Sequence, residues 1–391
     1  VLCVFIGPAS RLVEEVKQAL DDTIDIRPLA LWRSLSVDER VAKSRMATVL
    51  LDAVITYDRA LPARKEVVVV GAGLAGISAA TTFKSAGCEL ALLEKTRHAG
   101  GVWRSFGNAF SRVNSTEPGY RLRLKHRHYM NTNHSHYYEI LQDCVQAFEQ
   151  YGLGSSVFPG TEVVAITSCE GSSAWRLGCA VSAMSTAMSC TWAILCTNRR
   201  LGTPRDVSVA GEASFVGQIR RGIANDALDV AWEAQRVLIL GHGPYATENS
   251  RTALEHGAAD VTFAVRRHGI VCPELVDYVN YIREYDESFG HAPSGSARIV
   301  STWRQVYRAS GATPPEVWAQ GRFLPDGHTV SISDLYFVAH FVGVLRSIVG
   351  CAREFSASGV TLSGGEHVDA SVVIKAVGFE LNEGNERIVG R

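Results

Sequence analysis

The sequence predicts an α/β protein in which one supersecondary unit, strand–glycine turn–helix–strand, occurs twice behind an α-rich N-terminal extension. Three observations predict it. Glu66-Val67-Val68-Val69-Val70 is a continuous run of mostly β-branched residues, the mark of a strand buried on both faces of a parallel sheet. Gly71-Ala72-Gly73-Leu74-Ala75-Gly76 follows it at once, opens a helix of small residues and leads to the apolar run Glu89–Glu94. The same order then returns as Arg236–Leu240, Gly241–Ala246, Thr247–His256 and Val261–Val265, with Gly257 closing the helix. Each set is one βαβ unit, so the chain holds two Rossmann-like modules of the dinucleotide-binding kind.

Bulk properties narrow the class. A length of 391 residues suits two or three domains, and 46% hydrophobic with 20% charged residues is the composition of an ordinary globular protein. A formal net charge of −1 argues against an electrostatic nucleic-acid binder. No apolar run reaches the ~18–20 residues that span a bilayer. Nine cysteines, an odd number, show no CxxC pair and no metal-ligand spacing. That points to free thiols in a reducing compartment, and the cytoplasm is the expected location. The chain begins at Val1 rather than Met, as an internal or processed terminus would.

In chain order, residues 1–64 form the N-terminal extension. Leu2–Ile6 reads as a strand, and a helical pattern from Ser10 puts Val13, Val16 and Leu20 on one face. A capping box, Ser36-x-x-Glu39, opens a second helix carrying Val41, Val49, Leu50 and Val54. No chemistry attaches to this region; it reads as a packing module or a dock for a protein partner. Between the two units, Tyr137–Tyr151 reads as a helix with Ile140, Leu141, Val145 and Phe148 on one side, and Thr191–Cys196 as a short buried strand. Gly359–Leu362 and Glu366–Val368 flank Ser363-Gly364-Gly365 as a hairpin, and Ser371–Ala376 is a buried strand leading to Gly378.

The first glycine turn has its chemistry in the backbone. Gly71 permits the tight turn, Gly73 lets a pyrophosphate approach, and Gly76 lets the helix pack on the strand. The amides of Leu74 and Ala75, at the positive end of the helix dipole, complete an anion site. Glu94, with Lys95 beside it, closes the second strand, where a carboxylate can accept hydrogen bonds from ribose hydroxyls. Gly100-Gly101-Val102-Trp103 follows, two glycines beside an indole, as if backbone passed close under a flat ring. In the second turn, Gly241 and Gly243 repeat the roles, Pro244 suits the first helical turn, Tyr245 follows, and Ala246 replaces the third glycine. Arg266 and Arg267 stand at the strand end where an NAD site carries an acid; guanidinium groups there select the 2′-phosphate of NADPH. His126, His128, His134 and His136 alternate with polar residues, lack an acid or cysteine to complete a coordination set, and read as a surface loop rather than a metal site.

On these motifs the sequence resembles the class B flavoprotein monooxygenases, the flavin-containing monooxygenases of the N- and S-oxygenating type and their Baeyer–Villiger relatives, over roughly residues 65–380. Phe110-Ser111-Arg112-Val113-Asn114-Ser115-Thr116 is similar to the segment that places an asparagine over the flavin in the N- and S-oxygenating branch. Ala193–Thr197 and Ile374–Phe379 are similar to the two strand-end segments that bracket the nicotinamide domain. The resemblance implies FAD at the first site and NADPH at the second, with an FAD-binding domain in two parts, 65–207 and 331–391, and the NADPH-binding domain 208–330 inserted between them. It implies that one atom of O2 passes through a C4a-(hydro)peroxyflavin to a small nitrogen, sulfur or carbonyl substrate, with Asn114 as the catalytic residue and Trp103 lining the flavin pocket. Departures are local: Arg221 stands where the family fingerprint FxGxxxH, here from Phe215, has histidine; Asn198 and Val377 replace a glycine and a threonine; and the chain stops at Arg391. An NADPH oxidase or reductase of the same fold, and a non-catalytic binding subunit, stay open as alternatives. A flavin disulfide reductase would need a cysteine pair after Glu94, where there is none.

Overall fold

The computed structural model describes residues 37–113, 122, 134–169, 171, 174–198, 202–274, 276–277, 293–316, 330–381 and 383–390. The expected strand Leu2–Ile6, the helix from Ser10, the Ser36 cap, His126, His128 and Asn114 lie outside the described residues. The chain divides into two compact units: Val1–Phe110 with Arg121–Pro204 and Phe379–Arg391, and Ser111–Tyr120 with Arg205–Gly378.

The first unit is built on a six-stranded sheet in the order β3-β2-β1-β6-β5-β4. Its strands are β1 (Arg64–Val70), β2 (Leu90–Glu94), β3 (Val157–Pro159), β4 (Thr161–Ser168), β5 (Trp175–Val181) and β6 (Met184–Leu195). β1 pairs in parallel with β2 and with β6, Val68 facing Ala91 on one side and Ala193 on the other. The β-branched run is buried on both faces, as expected. Val67 and Val69 pack on one core with Ile77, Leu141 and Phe148; Val68 and Val70 pack on another with Leu93, Phe158 and Leu177. Helices α1 (Val37–Ala53), α2 (Leu74–Ser85), α3 (Gly101–Phe106) and α4 (Tyr137–Tyr151) belong to the same unit. α4 has the predicted bounds, and Gly152, at φ +61°, ends it in the left-handed conformation that favours glycine.

Three sequence expectations change here. The extension's helix α1 forms, but its buried face is Ser44, Ala47, Leu50 and Leu51, while Val49 points outward at 38% exposure. Val49 lies about a third of a turn from that face, so the β-branched residue lost to register. The buried strand expected at Thr191–Cys196 is the half-exposed end of a 12-residue β6, with Trp192 at 59% exposure; its first half, Met184–Ser189, mixes small and polar residues with two methionines and pairs antiparallel with β5. His134 and His136 are buried, at 3% and 2% exposure, rather than in a surface loop. His136 opens α4 as its N-cap, its backbone N–H donating to Glu139 Oε2 at 2.7 Å, so a polar sequence here packs because it serves a helix start.

The second unit has a five-stranded parallel sheet, order β12-β9-β8-β16-β7. Its strands are β7 (Gln218–Arg220), β8 (Arg236–Leu240), β9 (Asp260–Val265), β12 (Leu345–Val349) and β16 (Val372–Ile374). Helix α5 (Pro244–Glu255) follows β8; a two-stranded ribbon β10 (Val271–Cys272) and β11 (Ser331–Ile332), and helices α6 (Pro293–Ser310) and α7 (Asp334–Phe341), cover the sheet. The predicted hairpin is present as β14 (Gly359–Leu362) and β15 (His367–Asp369), with β13 (Ala352–Phe355) as a third antiparallel strand. A return to the first unit was expected at residue 331. β12 instead pairs with β9, and β16 with β8, so the return comes at Phe379, followed by α8 (Gly384–Ile388). No helix among the described residues is long and apolar enough to cross a membrane.

Candidate functional site: two glycine turns

Both turns are made by the same bonds. In the first, Gly71 N–H donates to Leu93 O of β2 at 2.7 Å; in the second, Gly241 N–H donates to Ala264 O of β9 at 3.0 Å. Gly71 and Gly241 have φ of +101° and +116°, and a Cβ on either would run into a strand-end carbonyl, Cys196 O or Ala376 O. Only glycine fits both demands. Gly73 and Gly243 are the N-caps of α2 and α5, and neither helix has a side-chain cap. α7, by contrast, is capped by Ser333, whose Oγ accepts from Tyr336 N–H at 3.2 Å. The opening N–H groups of α2 and α5, those of Leu74 and Ala75 in the first and of Tyr245 and Ala246 in the second, where Pro244 has none to donate, therefore start a helix with no side chain to neutralise the dipole, the setting that binds an anion. A Cβ on Gly243 would meet nothing within 4 Å, so space stands open beside that backbone.

Around the first turn, Glu94 is 7% exposed. Its Oε2 accepts Ala72 N–H at 2.9 Å, and its Oε1 accepts the N–H and hydroxyl of Thr96 at 2.9 and 3.0 Å. A carboxylate has about four lone-pair sites, so acceptor capacity remains on Oε2. Lys95 beside it is exposed. Gly100 N–H donates to Ala72 O at 2.8 Å, and Gly101, at φ +55°, sits so close that a Cβ on it would lie 2.8 Å from Gly73 Cα. The structure thus brings Gly71, Gly73, Gly76, Glu94 and Gly101 into one cradle, with the half-buried Trp103 packed against the same core.

Around the second turn the decisive side chain is one the motif leaves unspecified. His242 is 8% exposed, its ring edge-on to Phe263 at 4.8 Å and 5.5 Å from Tyr336. Its Nδ1 accepts Gly269 N–H at 2.6 Å. Burial, with help from His268 and His340, pushes its pKa down to about 3, so it is the neutral ring. Arg266 and Arg267 are exposed at the end of β9, just before residues that are tied down: Glu316 accepts both the N–H of His268, at 3.1 Å, and its ring Nδ1–H, at 2.9 Å. Ala246 is fully buried and Tyr245 is half-buried. Gly378 adopts φ +85°, its carbonyl accepting Arg205 N–H at 3.0 Å.

Along α5 a buried polar row also escaped sequence reasoning. Glu248 Oε1 accepts the Ser111 hydroxyl at 2.8 Å, and Arg112, 2% exposed, makes a two-pronged pair with Glu255 at 2.9 and 3.1 Å. Burial raises the Glu248 pKa and lowers that of Arg251 to about 10. These bonds fix Ser111 and Arg112 on the second unit's nucleotide helix. Of the fingerprint segment, Arg221 pairs with Asp206 and Arg220 with Asp229, both at 2.8 Å on the surface. Among the described residues no group of three His, Cys, Asp or Glu could hold a metal.

Known proteins are similar to this chain in sequence and in fold. A family model described as pyridine nucleotide-disulphide oxidoreductase matches residues 65–284. The FAD-containing monooxygenase EthA of Mycobacterium tuberculosis is 22% identical over 81% of this chain and 70% of its own. An uncharacterized monooxygenase of Sinorhizobium fredii, y4iD, is 24% identical over 62% of this chain and 39% of its own. Among solved structures, an oxidized steroid monooxygenase bound to NADP superposes with a TM-score of 0.60 at 15% identity, covering 83% of this chain and 73% of that one. Cyclohexanone monooxygenase from Rhodococcus bound to NADP+ gives 0.54 at 15%, over 84% and 73%. The resemblance to class B flavoprotein monooxygenases holds, in relatives and in fold. The family match runs through both glycine turns and covers more than half of the 391 residues, and the chain belongs to the pyridine nucleotide-disulphide oxidoreductase family.

Proposed function

We propose that this chain is an FAD- and NADPH-dependent monooxygenase acting on a small substrate with a nucleophilic nitrogen or sulfur, or a carbonyl. The observation that carries the reading is the pairing of two uncapped glycine turns whose strand ends differ in charge: a buried carboxylate at the first and two arginines at the second. The cradle fits the groups. Gly71, Gly73 and the α2 amides take the FAD pyrophosphate, Glu94 accepts from its ribose, and Gly101 keeps side-chain atoms away from the path of the flavin, which Trp103 lines. Gly241, Gly243 and the α5 amides take the second pyrophosphate, and Arg266 and Arg267 take the 2′-phosphate that distinguishes NADPH. Bound FAD supplies the hydride acceptance and the oxygen activation; the protein binds, orients and excludes water. Asn114 is assigned the hydrogen bond to the reacting oxygen or substrate. EthA is described as an FAD-containing monooxygenase and the steroid monooxygenase was solved with NADP, which supports both cofactors.

The test is a visible spectrum of the purified protein, followed by NADPH without oxygen. Flavin bands that bleach with NADPH and much more slowly with NADH support the reading. Readmitted oxygen then separates oxygenation from simple release of peroxide. A colourless protein that takes up no added FAD overturns it and favours a non-catalytic binding subunit. A disulphide reductase is not favoured, because no cysteine pair follows Glu94: the next cysteine in the sequence is Cys144.

A further inference from the structure

Asp52 lies in the last turn of helix α1, which contains no basic residue. A carboxylate there faces the negative end of the helix dipole, which disfavours it. Its oxygens are satisfied from outside the helix instead. Arg104 donates from Nη2 to Oδ2 at 2.9 Å and from Nη1 to Oδ1 at 3.4 Å, and His98 Nδ1 lies 3.1 Å from Oδ1. Arg104 Nη1 also donates to Thr48 O, in the same helix, at 3.0 Å. The Tyr57 hydroxyl stands near the same carboxylate, its pKa raised to about 12 by burial and then by the charge of Asp52.

What Asp52 holds is the loop of the glycine pair. His98 and Arg104 stand on either side of Gly100-Gly101. Between them Gly100 N–H donates to Ala72 O, and Gly101 presses on Gly73. The neighbouring Leu51 forms the floor: a Cβ on Gly100 would approach its Cδ2 to 3.3 Å. The loop is thus pinned to the first glycine turn at its centre and to α1 at both ends. The Asp52–Arg104 pair is partly shielded, at 29% and 18% exposure, where a charge-assisted, two-pronged pair is worth more than on an open surface.

We propose that Asp52 is a positioning residue for the FAD site, and that the N-terminal helix is a working part of that site rather than an appended module. Asp52 acts through Arg104 and His98, closing the glycine pair onto Gly73 so that the cradle is preformed before the dinucleotide arrives. The proposal rests on the FAD reading above.

The test uses the full chain stripped of flavin, with Asp52→Asn, which keeps the shape and removes the charge, and Asp52→Glu, which restores the charge. FAD affinity is read from flavin fluorescence, NADP+ affinity by calorimetry, and amide exchange across residues 98–104 without cofactor. Asp52→Asn is expected to weaken FAD about tenfold, the scale of one charge-assisted hydrogen bond. Exchange at Gly100 and Gly101 should rise, NADP+ affinity should stay unchanged, and Asp52→Glu should recover part of the FAD affinity. FAD affinity and loop exchange both unchanged in Asp52→Asn would overturn the proposal, as would a loss of FAD and NADP+ in step with a fall in melting temperature, the sign of a merely structural helix. An unsubstituted protein that binds no FAD sinks the cofactor reading and this proposal together, whereas tight FAD binding indifferent to Asp52 sinks only this one.

Discussion

The two glycine turns share a backbone and differ in almost everything attached to it. In the first, the third motif position is Gly76, and a Cβ there would collide with Gly71 O. In the second, Ala246 occupies that position and is buried without exposing any of its surface. The first turn leaves no room for a side chain at this position, whereas the second accommodates a methyl group. The first turn is then closed over by a second glycine pair and a buried acid, the second by a neutral imidazole and an open arginine end. The motif specifies where a phosphate sits; the neighbouring strand ends and loops specify which molecule carries it.

The largest effect that breaks this comparison is exchange at the third position. Gly76→Ala is expected to cost about 1–3 kcal/mol, the range for overpacking a tight site, and to strip FAD from the protein. Ala246→Gly in the second unit opens no clash and should cost roughly 1 kcal/mol of helix propensity, with NADPH binding nearly intact. Chemical denaturation and bound-flavin absorbance on the two variants read both. Equal losses in the two would mean that the turns are built to the same tolerance.

The arginine end comes next. Arg266→Ala with Arg267→Ala should raise the KM for NADPH about 10–100-fold and leave that for NADH nearly unchanged, because NADH lacks the 2′-phosphate that the guanidinium groups would pair with. Stopped-flow reduction of the flavin by each nucleotide measures the ratio. An unchanged ratio would assign the arginines to solvent.

The legible parts of the molecule were those whose physics is local. A β-branched run, a glycine that must take positive φ, and an acid at a strand end are written in a few adjacent residues, so β1, Gly71, Glu94 and the second turn could be placed from the sequence. α4 was legible to the residue because its apolar stripe and Gly152 agree. The rest depends on what packs against what. Nothing in Asp52 announces Arg104, which lies far away in sequence. The first half of β6, Met184–Ser189, has no β-branched or apolar run and becomes a strand because β5 is there to pair with it. β12 and β16 look like strands of any sheet; only their pairing with β9 and β8 assigns them to the second unit. His242 sits at a position the motif leaves free, and its role comes from Phe263, Tyr336 and Gly269 around it.

His242 gives an effect that shows only as the pH falls, and the sharpest contrast, since the first turn has Ala72 in its place. Burial holds the folded pKa near 3, well below its ordinary value of 6.5. Between those values the unfolded chain binds a proton that the folded second unit does not. The His242 contribution is therefore fully present above pH 6.5 and is lost as pH falls toward 3. Glu274 works the other way: burial, then Asp334, raises its pKa to about 7, so its contribution is present below its ordinary 4.5 and fades as pH rises toward 7. The two slopes oppose each other in the wild-type protein, and substitution isolates one. His242→Asn keeps a side-chain acceptor for Gly269 N–H and removes the titrating ring. Urea denaturation of the second unit from pH 7 to pH 4 should show stability falling less steeply with acid in the variant than in the wild type, with the first unit's transition unaltered. Parallel curves would mean that the ring protonates in the folded state without resistance, and that the second turn is backed by nothing more than shape.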